Sequence, residues 1–557
     1  MATSPAPSAC GGSRTAKSSR SEKCRRPTST PSRRRSGNSR TFGGAAGGFA
    51  AAVRARAPAR RDRSKGTASL KPHRYELAPG LEISRIVTGL WQVADMERDG
   101  LSLDLDAAAA AMADYADQGF DTFDMADHYG SAELIAGRFL AHRAAARGSK
   151  AIAFTKWCPA PGEMSAETVR AGVERSLGRL AVSKIDLMQL HWWTFEHPGY
   201  LDAMRELARL QQDGLIGELG VTNFDTNHLR VLIKHGIRIV SNQVSFSLLD
   251  RRAAEAMSAF CLEHGIRLLA YGTLAGGFLA DQWVGAAEPP APLIHDWSKM
   301  KYKRFVDAIG GWSVLQAILA ALAQVAQKHA VSVSNVAARW VLDQPAVAAI
   351  IVGARLGERE HRADNLRISG LVLDDRDRAR IDAALAKSVR LPGDCGDEYR
   401  RPPYLTASGD LSHHLETVPK VFRAAAYGTR CDRSRIDSGS MWEPICGYSR
   451  AVRVGNRILV SGTTATHGSG AIVCKGDVAG QTVYILDKIA ASIASLGGSL
   501  GDVVRTRIYL RDARQWEAAA RVHGAYFGAI RPANTLVEVS ALIGEYDVEI
   551  EAEAVVA

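Results

Sequence analysis

The chain has 557 residues, 46% hydrophobic and 23% charged, a composition that can build a full-sized core. At about 150 residues per domain the length gives three to four domains, and one domain of about 250 residues or more would make it two and a tail. A net charge of +11 invites a nucleic-acid reading, but residues 1–70 hold 16 Lys or Arg against only Glu22 and Asp62, which leaves residues 71–557 at about −3. The basic excess belongs to the tail and argues against nucleic acid as a partner of the folded part. The longest apolar stretch, Val314–Val325, is interrupted by Gln316 and Gln324, so no membrane span is expected. The eight cysteines include no Cys-x-x-Cys pair, which points to reduced thiols and to no metal site.

Residues 1–70 are rich in Ser, Thr, Ala, Gly and Arg, with almost no acid and no apolar period. Such a segment cannot bury enough surface to offset its ordering entropy, so it is expected to be disordered. It lacks the apolar stretch of a secretory signal. Its composition resembles a plastid transit peptide ending near Ala50–Ala55, so a chloroplast location is expected. Mitochondrial import and a plain disordered tail on a cytoplasmic protein are the alternatives.

From about residue 80 short β-like runs alternate with amphipathic stretches. The strands are expected at Ser84–Thr88, Phe120–Asp124, Ala151–Thr155, Ile185–Leu190, Gly217–Val221, Ile237–Gln243, Ile266–Tyr271 and Ala348–Val352. Helices at Asp106–Gln118, Ser165–Arg179, Leu201–Asp213 and Ala253–His264 separate several of them. Eight such strands predict an α/β fold with a parallel sheet closed into a (β/α)₈ TIM barrel over residues 75–390. An open doubly wound sheet is the alternative, weakened because no Gly-x-Gly-x-x-Gly follows the first strand. Residues 391–420, with Pro, Gly and charge but no period, read as a linker. Residues 421–557 then read as a smaller α+β domain, with strands at Asn456–Gly462, Val503–Leu510 and Asp547–Val556 and a helix at Gln481–Leu496.

Four polar residues fall at or just past the ends of consecutive expected strands: Asp124, Tyr129, Lys156 and His191. In a barrel that rim is where side chains from neighbouring strands converge. The set suits carbonyl reduction, which needs hydride on carbon and a proton on oxygen. Tyrosine is a weak acid near neutral pH, and a neighbouring ammonium stabilises the phenolate left after proton donation. Lys156 would supply that ammonium, Asp124 would hold Lys156, and His191 would hydrogen-bond the substrate oxygen. Trp91, Trp157, Trp192 and Trp193 lie beside the same strand ends; they pack between barrel and helices, or Trp91 and Trp192 form an apolar wall around the carbonyl. Gly277–Lys303 is expected to be a variable loop over the mouth.

These motifs resemble the aldo-keto reductase superfamily. They are Gly119–Gly130 (Gly-Phe-Asp-Thr-Phe-Asp-Met-Ala-Asp-His-Tyr-Gly), Thr155-Lys156, Asp186–His191 and Gly217–Phe224. The resemblance implies a (β/α)₈ barrel, a nicotinamide cofactor and the tetrad Asp124, Tyr129, Lys156 and His191. It further implies that Thr222, Asn223 and Gln243 bind the carboxamide, and that Tyr271, in Ala270–Leu274, stacks on the nicotinamide. The adenosine-phosphate segment runs from Gly353 and Arg355 to Asn365. A position often Arg in the family is His361, but Arg355 suits a 2′-phosphate through its rigid donor fork, so NADP is expected over NAD. The partner implied is a small-molecule carbonyl substrate. The intact tetrad argues against the alternative, a cofactor-binding regulator or sensor with little turnover.

Residues 440–557 resemble the Rid or YjgF family. The carrying motifs are Gly447–Ser449, Val454–Gly462, Gly501–Tyr509, Arg531–Asn534 and Val548–Ala552. The resemblance implies a chorismate-mutase-like α+β domain, a homotrimer with clefts between subunits, and hydrolysis of imines or enamines. Tyr448 and Glu549 match family site positions, but the Arg that binds the substrate carboxylate is Asn534 here, and an amide offers no charged fork. A reductase with a ligand-binding or trimerising module is therefore expected ahead of a bifunctional reductase and imine hydrolase, with Arg531 the substitute donor in the latter case.

Overall fold

The computed structural model describes residues 71–93, 103–146, 150–294, 296–358, 361–400, 418–428 and 432–557. The tail with its expected targeting role, and residues 401–417 of the expected linker, lie outside them. The described residues belong to one compact unit, Ala68–Ala557. No single helix among them is long and apolar enough to cross a membrane.

The chain opens with an antiparallel hairpin, β1 (Arg74–Ala78) and β2 (Leu81–Ser84). Its Leu77, Leu81 and Ile83 pack with Ile152, Phe154, Leu187, Val240 and Leu269, plugging the barrel's interior from the end where strands begin. The expected first strand, Ser84–Thr88, is thus two elements. Ser84 closes the hairpin, its hydroxyl donating to Ile86 O at 2.8 Å, and the barrel strand starts at Ile86.

The eight barrel strands are β3 (Ile86–Gly89), β4 (Thr122–Asp124), β5 (Ile152–Trp157), β6 (Ile185–His191), β7 (Ile216–Thr222), β8 (Ser241–Ser245), β9 (Arg267–Tyr271) and β10 (Val347–Gly353). All pair in parallel, and β10 joins β3 to close the barrel. They are buried along almost their whole length, as a barrel wall covered by helices requires. The expected strand at Ile237–Gln243 begins only at Ser241. Helices Leu105–Asp117, Ala166–Leu180 and Thr226–Lys234 start at Asp104, Ser165 and Asp225, whose side chains each accept a first-turn N–H.

The second domain is a seven-stranded sheet. Its strands are β11 (Ala425–Ala426), β12 (Arg433–Ile436), β13 (Ala451–Val454), β14 (Arg457–Thr464), β15 (Val503–Leu510), β16 (Ala533–Glu538) and β17 (Val548–Val555), in the order β11-β12-β13-β14-β17-β15-β16. Only β15 and β16 pair in parallel. Helices Val478–Ser495 and Trp516–Phe527 carry its apolar residues. The first is buried on nearly every side because it lies between its own sheet and barrel helix Thr226–Lys234. The buried apolar residues of barrel and second domain form one continuous cluster.

Candidate active site

The strand ends converge on a cavity of about 370 Å³. It is lined by all four residues of the expected tetrad, and by Thr222, Asn223, Gln243, Tyr271, Leu274 and Arg355. Asn365, a turn into helix Arg362–Gly370, is not part of the lining, whereas His361 is.

At the base of the cavity Lys156 Nζ sits 2.7 Å from Asp124 Oδ2 and donates to Met125 O at 2.9 Å, with both side chains almost wholly buried. Asp124 Oδ1 accepts from Gln243 Nε2 at 2.8 Å and Gln189 Nε2 at 3.2 Å. The carboxylate is therefore fully served with donors, and Lys156 has no freedom to leave it. Gln189 lies inside the motif that ends in His191, yet nothing local marks its role; only barrel closure brings it beside Asp124. Tyr129 is half-buried, with Lys156 Nζ 5.0 Å from its ring centroid and Trp91 edge-on at 4.9 Å.

His191 ends β6, its Nε2 3.3 Å from Asn223 Nδ2. Burial, helped by His128 and the cations of Arg400, Lys156 and Lys301, holds its pKa well below the ordinary imidazole value. The ring is neutral at physiological pH and can act as a hydrogen-bond donor without carrying charge. Asn223 is one of the few non-glycine residues at positive φ (57°), a backbone bend that turns its side chain back over the mouth.

Of the two readings of the tryptophans, packing holds for Trp157, Trp192 and Trp193, which are buried, and the wall for Trp91 alone. Trp91 lines the cavity, but Trp192 is fully buried in the core with Nε1 donating to His197 O at 3.0 Å. Side chains alternate along an extended segment, so with His191 facing the mouth Trp192 faces the helices. Trp193, whose Nε1 donates to Cys158 Sγ, lies tilted against His191 with ring centroids 4.6 Å apart. The expected loop Gly277–Lys303 supplies Gly277, Gln282 and Lys299 to the lining, and its last residues belong to helix Trp297–Ala308. Gly272 must be glycine: its φ is +68°, and a Cβ there would run into the Tyr302 hydroxyl.

The start of the expected linker is part of the site. Residues Asp394–Arg400 form a strap across the mouth. Asp394 accepts from Thr226 N at 2.9 Å, and Arg400 donates to Trp192 O, Trp193 O and Asn223 O. The buried Glu398 pairs with Arg252 at 2.7 Å, and Tyr399 reaches Lys301 Nζ. Burial alone would raise Glu398, but Arg252 and Lys301 outweigh it and bring its pKa down to about 2. The Tyr271 hydroxyl lies 2.9 Å from Asn223 Oδ1 and 3.0 Å from Glu398 Oε1, so the strap bears directly on the expected nicotinamide seat.

Thr222 Oγ1 and Gln92 Oε1 are buried without a hydrogen-bond partner among the described residues, and both residues line the cavity. Orphaned polar atoms of this kind await a ligand with amide or hydroxyl groups, which a nicotinamide dinucleotide provides. Arg355 and His361 also line the cavity and suit phosphate, whereas Lys299 is held by Asp296 of the same lining at 2.6 Å.

In the second domain Asn534 Nδ2 donates to Thr506 Oγ1 at 2.9 Å, and Thr506 meets His523 of helix Trp516–Phe527. Asn534 thus faces the helical side of the sheet. Glu549 alternates with the buried Val548 and Ile550 and lies on the opposite face, with Gly462 against its carboxyl. Burial raises its pKa. Arg450 Nη2 donates to Tyr448 OH at 3.2 Å. Within one chain Asn534 and Glu549 therefore do not meet. No group of His, Cys, Asp or Glu among the described residues has the arrangement of a metal site.

Residues 85–386, more than half of the chain, match the aldo/keto reductase family, and residues 439–556 match the family described as endoribonuclease L-PSP. Flagellar radial spoke protein 5 of Chlamydomonas reinhardtii is 33% identical over 178 residues, 28% of this chain, and the match spans only 33% of that protein's length. The chloroplastic pyridoxal reductase of Arabidopsis thaliana is 25% identical over 289 residues, 49% of this chain and 75% of that protein. A solved YjgF/YER057c/UK114 family protein of Mycobacterium tuberculosis is 44% identical over 22% of this chain and 99% of that one, with a TM-score of 0.21.

Proposed function

The chain belongs to the aldo/keto reductase family and carries a Rid-type second domain, and on that premise we propose that it is an NADPH-dependent carbonyl reductase with Tyr129 as its general acid. The observation that carries this reading is the Lys156–Asp124 pair beneath Tyr129, with a neutral His191 on the same cavity. A bound nicotinamide would supply the hydride. Thr222 and Asn223 would hold its carboxamide, and Tyr271 would lie against its ring. His191 donates to the carbonyl oxygen and fixes it beside Tyr129, which gives up its proton as charge develops there. Lys156, held by Asp124, stabilises the phenolate that results.

Arg355, which lines the same cavity as His361, supports NADPH over NADH. A panel of aldehydes, ketones and sugars should show faster turnover with NADPH. Arg355→Ala should raise KM for NADPH about tenfold or more, the worth of a charge-assisted contact, while leaving KM for NADH nearly unchanged. Equal effects on both cofactors would move the phosphate site elsewhere, and tight NADPH binding without turnover on any substrate would favour a regulator instead.

The second domain acts in this reading as a binding or trimerising module and not as an imine hydrolase, because an amide replaces the carboxylate-binding cation at Asn534. A chloroplast location rests on the composition of residues 1–70, and a fusion of that segment to a fluorescent protein tests it.

A further inference from the structure

Helix Val478–Ser495 of the second domain is apolar except for a few positions, and one of these, Asp487, is 1% exposed. A buried carboxylate is costly unless partners compensate it. Here the partners come mainly from the barrel. Asp487 Oδ2 accepts from Tyr200 OH at 3.0 Å, and Oδ1 lies 3.3 Å from His228 Nε2 and accepts from Tyr526 OH at 2.6 Å. The other nitrogen of His228 faces Asp225, 2.7 Å from Oδ2. An imidazole between two carboxylates donates from both nitrogens only when it is charged.

These barrel groups belong to the two loops that carry the catalytic rim. Asp225 caps helix Thr226–Lys234 and follows Asn223 by two residues. The His228 ring lies flat on Phe195, with ring centroids 3.3 Å apart and planes 7° apart, four residues after His191. On Phe195's ring sits Arg400, which also binds the carbonyls of Trp192, Trp193 and Asn223. Tyr200 begins the helix that the same loop enters.

We infer that Asp487 of the second domain is a positioning residue of the reductase site, acting through His228 and Phe195 on the loops that hold His191 and Asn223. The inference rests on the proposed reductase function and adds that the second domain completes the barrel's site.

The groups facing His228 are Asp225, Asp487, Tyr200 and Tyr526, with Arg400 beyond Phe195 and Asp394 beyond Thr226. Burial lowers the His228 pKa, but Asp225 and then Asp487 outweigh it and carry it up to about 9. A raised histidine stabilises the fold fully below its unfolded value of about 6.5, and that contribution is lost as pH rises through about 9.

The test uses the full chain, with Asp487→Asn beside Arg230→Gln. The Arg230 side chain pairs with Asp477 across the same interface at 2.9 Å and lies over Phe260, both outside the two loops. NADPH binding is read by tryptophan quenching, turnover by steady-state kinetics, and loop order by hydrogen exchange over residues 191–200 and 222–228. Asp487→Asn is expected to weaken NADPH binding about fivefold, the size of such couplings, and to speed exchange in both segments. It should also move the alkaline limb of binding down by about one pH unit, as loss of a close carboxylate does. Arg230→Gln should stay within about twofold, as partly exposed pairs do. An Asp487→Asn protein indistinguishable from Arg230→Gln in binding, pH limb and exchange overturns the inference. Failure of the wild type to bind NADPH sinks the reductase reading alone, because the exchange comparison still decides whether Asp487 orders the loops. If Asp487→Asn does not fold, Tyr526→Phe, which removes one donor to Asp487, is put through the same three readouts.

Discussion

Lys156 and Asp124 show how a charged pair is kept inside a barrel. Lys156→Met would leave Asp124 buried with only two amide donors, Gln189 and Gln243. Breaking such a pair costs about 3 kcal/mol or more, so the melting temperature should fall by several degrees along with the loss of turnover. Both effects are checked by thermal denaturation and assay of the same sample. His191 predicts the opposite pH behaviour to His228. Its folded pKa is depressed, so the unfolded chain binds the extra proton and stability falls as pH drops below about 6.5. His191→Asn should flatten that acid slope in a series of melting curves. The tetrad positions were legible because each sits at or just past a strand end in a recognisable motif. Gln189 was not, and which of the two readings held for Trp192 was not, since both depend on which face a residue presents after closure.

Elements are legible in the sequence where local signals are strong. Alternating strands and helices specify the barrel through periodicity, and caps such as Asp104 and Ser165 fix where helices begin. The strap at Asp394–Arg400 shows the converse. Pro392, Gly393 and Gly396 with intervening charge read as a linker, yet the strap is held by Arg252, Tyr271 and Lys301, which lie about a hundred residues or more earlier. Nothing local encodes that pairing. Glu398→Gln should leave Arg252 with Asp250 and the Asp394 carbonyl and loosen Tyr271 and Asn223. The expected outcome is KM for NADPH raised about fivefold with a smaller change in kcat. Equal kinetics for mutant and wild type would show that the strap has no bearing on the cofactor seat.

At the scale of the whole molecule, the two family regions share one core, and the helix between them is buried from both sides. The sequence showed two domains but not that they dock, because the docking residues are scattered between Tyr200 and Tyr526. Asp487, a lone acid in an apolar helix, was the available signal. The open face of the second sheet still exposes Leu459, Val504 and Val555, interleaved with an ion-pair ladder of Arg507, Glu551 and Glu553. A trimer through this domain, as the Rid resemblance implies, would cover such a face. Light scattering of the full chain should give three chains per particle, and a monomer would leave that face without the role assigned to it.

The role of Tyr129 is decided by NADPH oxidation by the full chain with an accepted carbonyl substrate, wild type beside Tyr129→Phe, with NADPH affinity measured on both. Tyr129→Phe is expected to lose about 10²- to 10⁴-fold in kcat with affinity little changed. A Tyr129→Phe enzyme that turns over like the wild type would contradict that role and place the proton donor elsewhere in the cavity.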